Sequence, residues 1–157
     1  MKSFGLQVLV DVRSFPGSRR YPQFNKERLR ESLAGEGVDY RHAPELGGRR
    51  RAKPDSLNMA WRNETFRGYA DYMETENFRA AIAELVQLAE ERRCVIMCAE
   101  AVWWRCHRSL ISDYLKASGT NVMHIMGAGK SESHPFTTAA RIIDGRLSYR
   151  GVLESRG

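Results

Sequence analysis

One stretch of the chain, from Cys94 to Ile111, combines residue types that handle anions and protons. An apolar run ends at Cys98, and Glu100 follows it. Positions 103–108 then carry two tryptophans, an arginine, a cysteine, a histidine and a second arginine. A cysteine at a strand end, beside basic groups at the start of a helix, is typical of a nucleophile, because its thiolate is stabilised there. The sequence therefore predicts a reactive or ligand-binding site in this stretch.

The arginines of the predicted site favour an anionic ligand. Arginine forks donate two parallel hydrogen bonds to phosphate or carboxylate groups. Two of them are three residues apart, so they share a helix face. We expect the ligand-binding residues to be Arg13, Arg105, His107, Arg108, Arg49 and Trp103. If the ligand is also transformed, we expect the catalytic residues to be Cys98, Glu100 and Asp11. The two carboxylates also fit a second role, in which they only hold the arginines in place.

Two other chemistries fit the cysteines less well. Rhodanese and tyrosine-phosphatase loops place five residues between cysteine and arginine, whereas six separate Cys98 from Arg105. The set Cys98, Glu100, Cys106 and His107 offers donors that zinc or iron accept. Seven residues separate the two cysteines, however, where zinc knuckles have two to four. We predict no metal site, and a metal-binding redox or sensor protein stays an alternative; the sequence specifies no cofactor.

Alternating strand and helix patterns predict the elements that position these residues. Short β-branched runs indicate parallel strands, and apolar residues at helical spacing indicate helices. The strands are expected at Leu6–Val12, Val38–His42, Cys94–Cys98 and Asn121–Met126. The helices are expected at 26–34, 75–93, 107–116 and 135–143, before a turn at Asp144-Gly145, and the aromatic-rich stretch 57–73 has one helical face at Phe66, Tyr69 and Met73. We expect one α/β domain over residues 1–157, a three-layer sandwich with a mostly parallel sheet flanked by helices. Its strand-end loops would meet at one edge.

Several polar residues outside the central stretch are open to interpretation. His42 and Glu45 flank a long loop that could close over the site. The alternation around His124 predicts a buried core histidine, whereas His134 fits either a helix cap or the site. The segment Gly127–Ser131 lacks the glycine spacing of a phosphate-binding Walker loop.

The charge distribution points to an anionic partner. The chain has 157 residues and a formal net charge of +6, and residues 11–53 hold eleven Lys/Arg against six Asp/Glu. This pattern favours a nucleotide or nucleic acid as ligand. The alternative to an enzyme is a non-enzymatic nucleic-acid-binding module that uses Arg19, Arg20 and Arg49 to Arg51. Three cysteines and no apolar leader or spanning segment predict reduced thiols, no membrane and a cytoplasmic location. The oligomeric state is not specified.

A set of short polar motifs resembles a known protein family. The motifs are Asp11–Pro16, Phe24–Asn25, Tyr40–Arg49, Cys98–Glu100, Cys106–Arg108 and His134–Thr137. In this order they resemble the bacterial and archaeal family catalogued as domain of unknown function 488. The resemblance implies an α/β fold and marks these polar residues as the family's recurring set, with no assigned activity. Members usually begin with a further strand and helix carrying a Gly-His-Ser turn, and this chain starts partway into that helix.

Overall fold

The computed structural model describes residues 4–17, 22–100 and 102–151. The helices are α1 (Lys26–Gly35), α2 (Glu64–Tyr72), α3 (Glu76–Glu91) and α4 (Arg108–Ala117). The strands are β1 (Val8–Asp11), β2 (Asp39–His42), β3 (Cys94–Met97), β4 (Met123–Gly127), β5 (Lys130–Ser133), β6 (Arg141–Ile143) and β7 (Arg146–Ser148). The chain forms two compact units. Unit 1 is Met1–Gly47 with Glu76–Ala99, and unit 2 is Gly48–Thr75 with Glu100–Gly157.

Unit 1 is built on a three-stranded parallel sheet in the order β2-β1-β3. Val8 lies opposite Asp39 and Cys94, and Asp11 lies opposite His42 and Met97. Every residue of β1 is buried, as expected for the central strand of a parallel sheet. The sequence prediction of parallel strands at these three places is confirmed, and the strand ends meet at one edge.

The core of unit 1 forms between α1 and the sheet. Leu29 and Leu33, one turn apart on α1, pack with Leu9, Val38 and Tyr40. Residues four apart on a helix share a face, so α1 presents one apolar stripe to the strands. This cluster is what orients the carboxyl ends of β1 and β2, where the polar side chains of unit 1 lie.

Unit 2 packs α2 and α4 together, and α4 also contacts β7. Leu110 and Ile111 of α4 are fully buried. Gly68 of α2 lies against the backbone of Arg50, since a Cβ added there would come within 2.0 Å of the Arg50 carbonyl oxygen. The helix therefore sits on the preceding loop with no room for a side chain. Two antiparallel hairpins, β4-β5 and β6-β7, complete the unit.

Two predictions for the last third of the chain are wrong. The strand expected at Asn121–Met126 is β4, which pairs antiparallel with β5 rather than joining the parallel sheet. The helix expected over 135–143 is absent from these described residues; β6 and β7 form a hairpin there instead. Its turn residues, Asp144 and Gly145, have φ values of 52° and 77°, which suit the tight turn of a two-residue hairpin. The predicted turn is confirmed.

The structure therefore confirms a mixed α/β chain with a parallel sheet of three strands and four helices in its described part. The three-layer sandwich and the single domain stay predictions. Among the described residues, none of the helices is long and apolar enough to span a bilayer.

Candidate functional site

At the strand-end edge of unit 1, Asp11 holds Arg13 in a two-pronged ion pair. Nε and Nη2 of Arg13 donate to the two carboxylate oxygens of Asp11 at 2.8 and 2.6 Å. The hydroxyl of Tyr40 donates to the same carboxylate at 2.5 Å. Asp11 and Arg13 have exposures of 0% and 8%. Both oxygens of this carboxylate are thus engaged inside the protein.

This pairing favours a structural role for Asp11 and Arg13. Burial raises the pKa of Asp11, but the hydrogen bonds from Arg13 and Tyr40 outweigh it and leave the pKa below its ordinary value. Asp11 is then an anion rather than a proton donor. His42 also contacts the backbone of this segment, since its Nε2 lies 2.7 Å from the carbonyl oxygen of Arg13. The roles predicted for Asp11 in catalysis and Arg13 in ligand binding stay predictions.

The cysteines differ from the sequence expectation. Cys98 and Cys106 are disulfide-bonded, and Cys94 is a free cysteine. The expectation of three reduced thiols is therefore wrong. A disulfide sulfur carries no thiolate, so the nucleophilic role predicted for Cys98 applies only to the reduced protein and stays a prediction. Burial raises the pKa of Cys94, against the lowering effect of nearby arginines.

Two buried donors without acceptors lie at the first residue of α4 and in the short turn that precedes it in unit 2. Nε of Arg108 and Nε1 of Trp103 are buried, and neither atom has a hydrogen-bond partner in the described part of the chain. Nη2 of Arg108 donates to the backbone carbonyl of Glu100 at 2.8 Å. Burial lowers the pKa of Arg108, against the raising effect of Glu100. An arginine remains charged under such a shift, so the site holds a half-buried cation.

The other predicted ligand-binding residues of unit 2 differ in exposure. Arg105, Glu100 and Arg49 are exposed, and Arg49 has a positive φ of 61°. His107 is half-buried immediately before α4, and its ring centroid is 5.0 Å from that of Tyr69. Its Nδ1 lies 3.4 Å from Sγ of Cys106. Their roles as ligand-binding residues, and that of Glu100 in catalysis, stay predictions.

The two tryptophans of the site loop differ in exposure. The ring of Trp103 stacks on His124, with centroids 4.4 Å apart and planes at 3°. Trp104 is 50% exposed and meets Trp103 edge-on. The face of Trp103 that contacts His124 is therefore occupied, and Trp104 is the more accessible ring of the two.

A buried chain of one carboxylate and two imidazoles lies beside Trp103. His124 Nε2 is 2.8 Å from His134 Nδ1, and His134 Nε2 is 2.8 Å from Asp113 Oδ1. The buried position predicted for His124 is confirmed. Sequence reasoning overlooked Asp113 altogether. Its signal was an acidic residue among the apolar residues of the inward face of α4, where a carboxylate needs buried partners.

The structure also bears on the metal-binding and the nucleic-acid-binding alternatives. Within the described ranges, no group of three or more His, Cys, Asp or Glu side chains is arranged to hold a metal ion. The two cysteines considered as metal ligands are disulfide-bonded. Arg19 and Arg20, considered for nucleic-acid binding, lie outside the described residues. Arg50 stacks on the Tyr72 ring, with its guanidinium carbon 3.6 Å from the centroid.

Comparison with known proteins gives one family. No curated protein and no solved structure gives a significant match. The family model described as domain of unknown function DUF488 matches residues 1–115. The match includes Asp113, whereas His124 and His134 lie beyond it. Because the match spans well over half of the chain and includes most of the motifs noted in the sequence, this chain belongs to the DUF488 family.

Proposed function

We propose that unit 2 binds a phosphate-bearing ligand, a nucleotide or a nucleic acid, at the start of α4. One observation carries the proposal: two buried donors, Nε of Arg108 and Nε1 of Trp103, have no acceptor among the described residues. A buried donor left unsatisfied costs about 1–3 kcal/mol. Native proteins leave few such groups without a reason. An oxygen-rich ligand would supply the missing acceptors.

Charge supports the same ligand class. The described residues give Arg108 a carbonyl oxygen but no carboxylate partner within ion-pair distance. A cation held partly out of water is stabilised by an anion, and a phosphate offers charge and several acceptors together. Unit 2 also holds 14 Lys/Arg against 9 Asp/Glu, whereas unit 1 holds 11 against 10. Most of the net positive charge therefore belongs to the unit with the unpaired donors.

The test is calorimetric titration with adenosine monophosphate and with inorganic phosphate. We expect both to bind the unaltered protein. Arg108→Gln should weaken binding about 10- to 100-fold, since a hydrogen bond to a charged group contributes roughly 1.5–3 kcal/mol. Circular dichroism checks that the variant is folded.

Arg146→Gln is the matched control. Arg146 is an exposed arginine of β7 in the same unit, so the substitution removes the same charge from a different element. We expect its affinity to stay within about twofold, because exposed charges act weakly through water. Equal losses in both variants would mean that overall charge, not this site, binds the ligand. Failure of both probes to bind the unaltered protein would contradict the proposal.

A second candidate function is non-enzymatic binding of single-stranded nucleic acid. The observation in its favour is the exposed ring of Trp104 beside Arg105, because a ring and a cation can contact a base and its phosphate. A labelled oligonucleotide distinguishes the two. A module should lose affinity steeply as salt rises and tolerate Arg108→Gln, whereas Trp104→Ala should weaken it. A dedicated phosphate site should lose affinity less steeply as salt rises. It should be weakened by Arg108→Gln and should tolerate Trp104→Ala.

The cytoplasmic location is also kept as a proposal. The disulfide state of Cys98 and Cys106 does not support it, because disulfides persist mainly in oxidising compartments. The ratio of oxidised to reduced protein in cells lysed under acid quench tests it, with reduced thiols expected for a cytoplasmic protein.

A further inference from the structure

Three buried side chains from different segments of unit 2 form one hydrogen-bonded row. Asp113 lies on α4, His124 on β4, and His134 directly after β5. Their exposures are 0%, 8% and 1%. The carbonyl oxygen of His134 accepts a hydrogen bond from Nζ of Lys116 at 2.8 Å, which ties this segment to α4. A hydrogen bond to the backbone and hydrogen bonds between side chains therefore both hold the row in place.

The surroundings of Asp113 determine how the two imidazoles share their protons. Its carboxylate accepts from the backbone N–H of Thr137 at 3.0 Å, from the Thr137 hydroxyl at 2.6 Å and from the Tyr149 hydroxyl at 2.7 Å. An ionised carboxylate only accepts, so Nε2 of His134 must donate to it. We take the His134 ring as neutral, so its Nδ1 accepts and Nε2 of His124 donates. The hydrogen-bond pattern thereby assigns the lone pair of His124 to Nδ1.

His124 is a neutral, oriented base next to the proposed phosphate site. Burial lowers its pKa to about 4, with further lowering by His134 and by the positive charge of Arg108. The flat stack against Trp103 fixes the ring plane. In the described part of the chain, Nδ1 of His124 makes no hydrogen bond. The free lone pair thus belongs to a ring that contacts one of the two residues proposed to bind the ligand.

We propose that His124 is the general base of a phosphodiesterase site in unit 2, with His134 and Asp113 as positioning residues. The proposal rests on the proposed function, since the phosphate must first bind beside Arg108. A phosphodiester is the substrate class that fits, because its single negative charge matches the single charge of Arg108. A second, exposed arginine, Arg105, is free to contact the rest of the ligand.

The reaction is hydrolysis, with water as the second reactant. The water oxygen attacks phosphorus and forms a new P–O bond while its proton moves to Nδ1 of His124. The ester P–O bond breaks, and the leaving oxygen takes a proton from solvent. His124 later returns its proton to solvent, so the products are a phosphomonoester and an alcohol. The imidazolium that forms is stabilised through His134 by the Asp113 carboxylate, as in catalytic triads.

Ligand binding would also strengthen the base. The charge of Arg108 opposes protonation of His124. A bound phosphodiester compensates that charge, so the affinity of His124 for a proton should rise when substrate is present. A base whose pKa approaches the working pH is the more effective catalyst.

The experiment measures hydrolysis of the chromogenic diester bis(p-nitrophenyl) phosphate. We expect turnover by the unaltered protein and a fall in kcat of about 10²- to 10⁴-fold in His124→Gln, with KM changed much less. Asp71→Asn is the control. Asp71 is another buried carboxylate of unit 2, and it binds Ser56 and Asn58 rather than a member of this row. It should lower stability and leave kcat within about threefold.

Nitrogen-15 NMR of the unaltered protein keeps the test independent of variant folding. We expect His124 to carry its proton on Nε2 with a bare Nδ1, and Asp113→Asn to disturb this tautomer, because an amide can donate to His134. A proton on Nδ1 would overturn the proposal, as would full activity in His124→Gln. Binding of adenosine monophosphate without hydrolysis of the diester would overturn this inference alone, and absence of binding would overturn the proposed function as well.

Discussion

The arginines of this chain differ in whether a carboxylate neutralises them. Asp11 binds Arg13 inside unit 1, and Asp39 binds Arg92 at its surface at 2.7 Å. Arg108 is partly buried and makes no ion pair with a carboxylate of the described residues, although Glu100 is close enough to raise its pKa. A charge removed from water needs a counter-charge or a ligand. The ligand is therefore expected at Arg108, whose charge is not neutralised by an ion pair, and the number of arginines does not decide this.

Alkylation of the unreduced protein should modify Cys94 alone. Cys98 and Cys106 have no free thiol in their disulfide-bonded state. The reaction of Cys94 should be slow at neutral pH, because burial raises its pKa and reduces its thiolate fraction. Intact mass after iodoacetamide treatment should show one adduct without reductant and three after reduction and unfolding.

Cys94→Ser provides the control for this prediction, since it should take up no label before reduction. Modification of Cys98 in untreated protein would mean that the thiols are reduced, and the nucleophilic role predicted from the sequence would then regain its physical basis.

The free energy of unfolding should fall as pH decreases from about 6.5 towards 4. His124 binds a proton near its ordinary pKa when unfolded, but only near pH 4 when folded. The unfolded state therefore binds more protons in this window, so acid favours it, and the stability due to the neutral imidazole is complete only above about pH 6.5. Between pH 7 and 5 the loss should reach up to about 2 kcal/mol. Urea denaturation at several pH values measures this loss in the unaltered protein and in His124→Gln. An identical pH dependence of the free energy of unfolding in both would contradict the prediction.

At the scale of elements, α2 of unit 2 packs closely on the preceding loop because Gly68 has no side chain. Gly68 faces the backbone of the preceding loop, where a Cβ would lie 2.0 Å from the Arg50 oxygen and 2.7 Å from the Ala52 nitrogen. Backbone atoms cannot move aside as the end of a flexible side chain can. The guanidinium of Arg50 lies over the Tyr72 ring of the same helix.

Gly68→Ala should therefore lower the free energy of unfolding by about 1–3 kcal/mol, as overpacking does. Gly35→Ala is the matched control, because Gly35 ends α1 with open space around its Cα. There, alanine should be neutral or slightly stabilising, since it restricts the unfolded chain. Chemical denaturation of both variants makes the comparison, and equal effects would contradict the close contact.

The elements after α4 show where periodicity misleads. The apolar residues around His124 predicted a buried strand, yet β4 buries His124 and leaves Met123 and Ile125 exposed. A strand in a two-stranded hairpin has a partner on one side, so its apolar residues are not all enclosed. The turn at Asp144-Gly145 was readable because few residue pairs accept positive φ at both positions.

At the scale of the whole molecule, each of the two units combines two segments that are separate in the sequence. The sequence placed the excess of basic residues within residues 11–53. Because unit 2 begins at Gly48, the arginines at 49–51 belong with the segment that contains α4. Most of the net positive charge and the unpaired donors of Arg108 and Trp103 thus occur in the same unit.

The sequence by itself determined the local elements and the candidate stretch. The strands β1, β2 and β3 and the helices α1, α3 and α4 were predictable, because apolar spacing directly reflects which side of an element is buried. The motifs at Asp11, Tyr40 and Cys98 were sufficient to indicate the DUF488 family. These features depend on neighbours along the chain, which a sequence records.

Only the tertiary structure decided which side chains satisfy one another. It paired Asp11 with Arg13, joined Asp113 to His134 and His124, and left the donors of Arg108 and Trp103 without acceptors. The hydrogen bonds of the row join residues 10 and 21 positions apart. They depend on distance and direction in space, and no spacing rule along the chain encodes them. That is why the arginines could be found in the sequence, whereas the hydrogen-bonded row of Asp113, His134 and His124 could not.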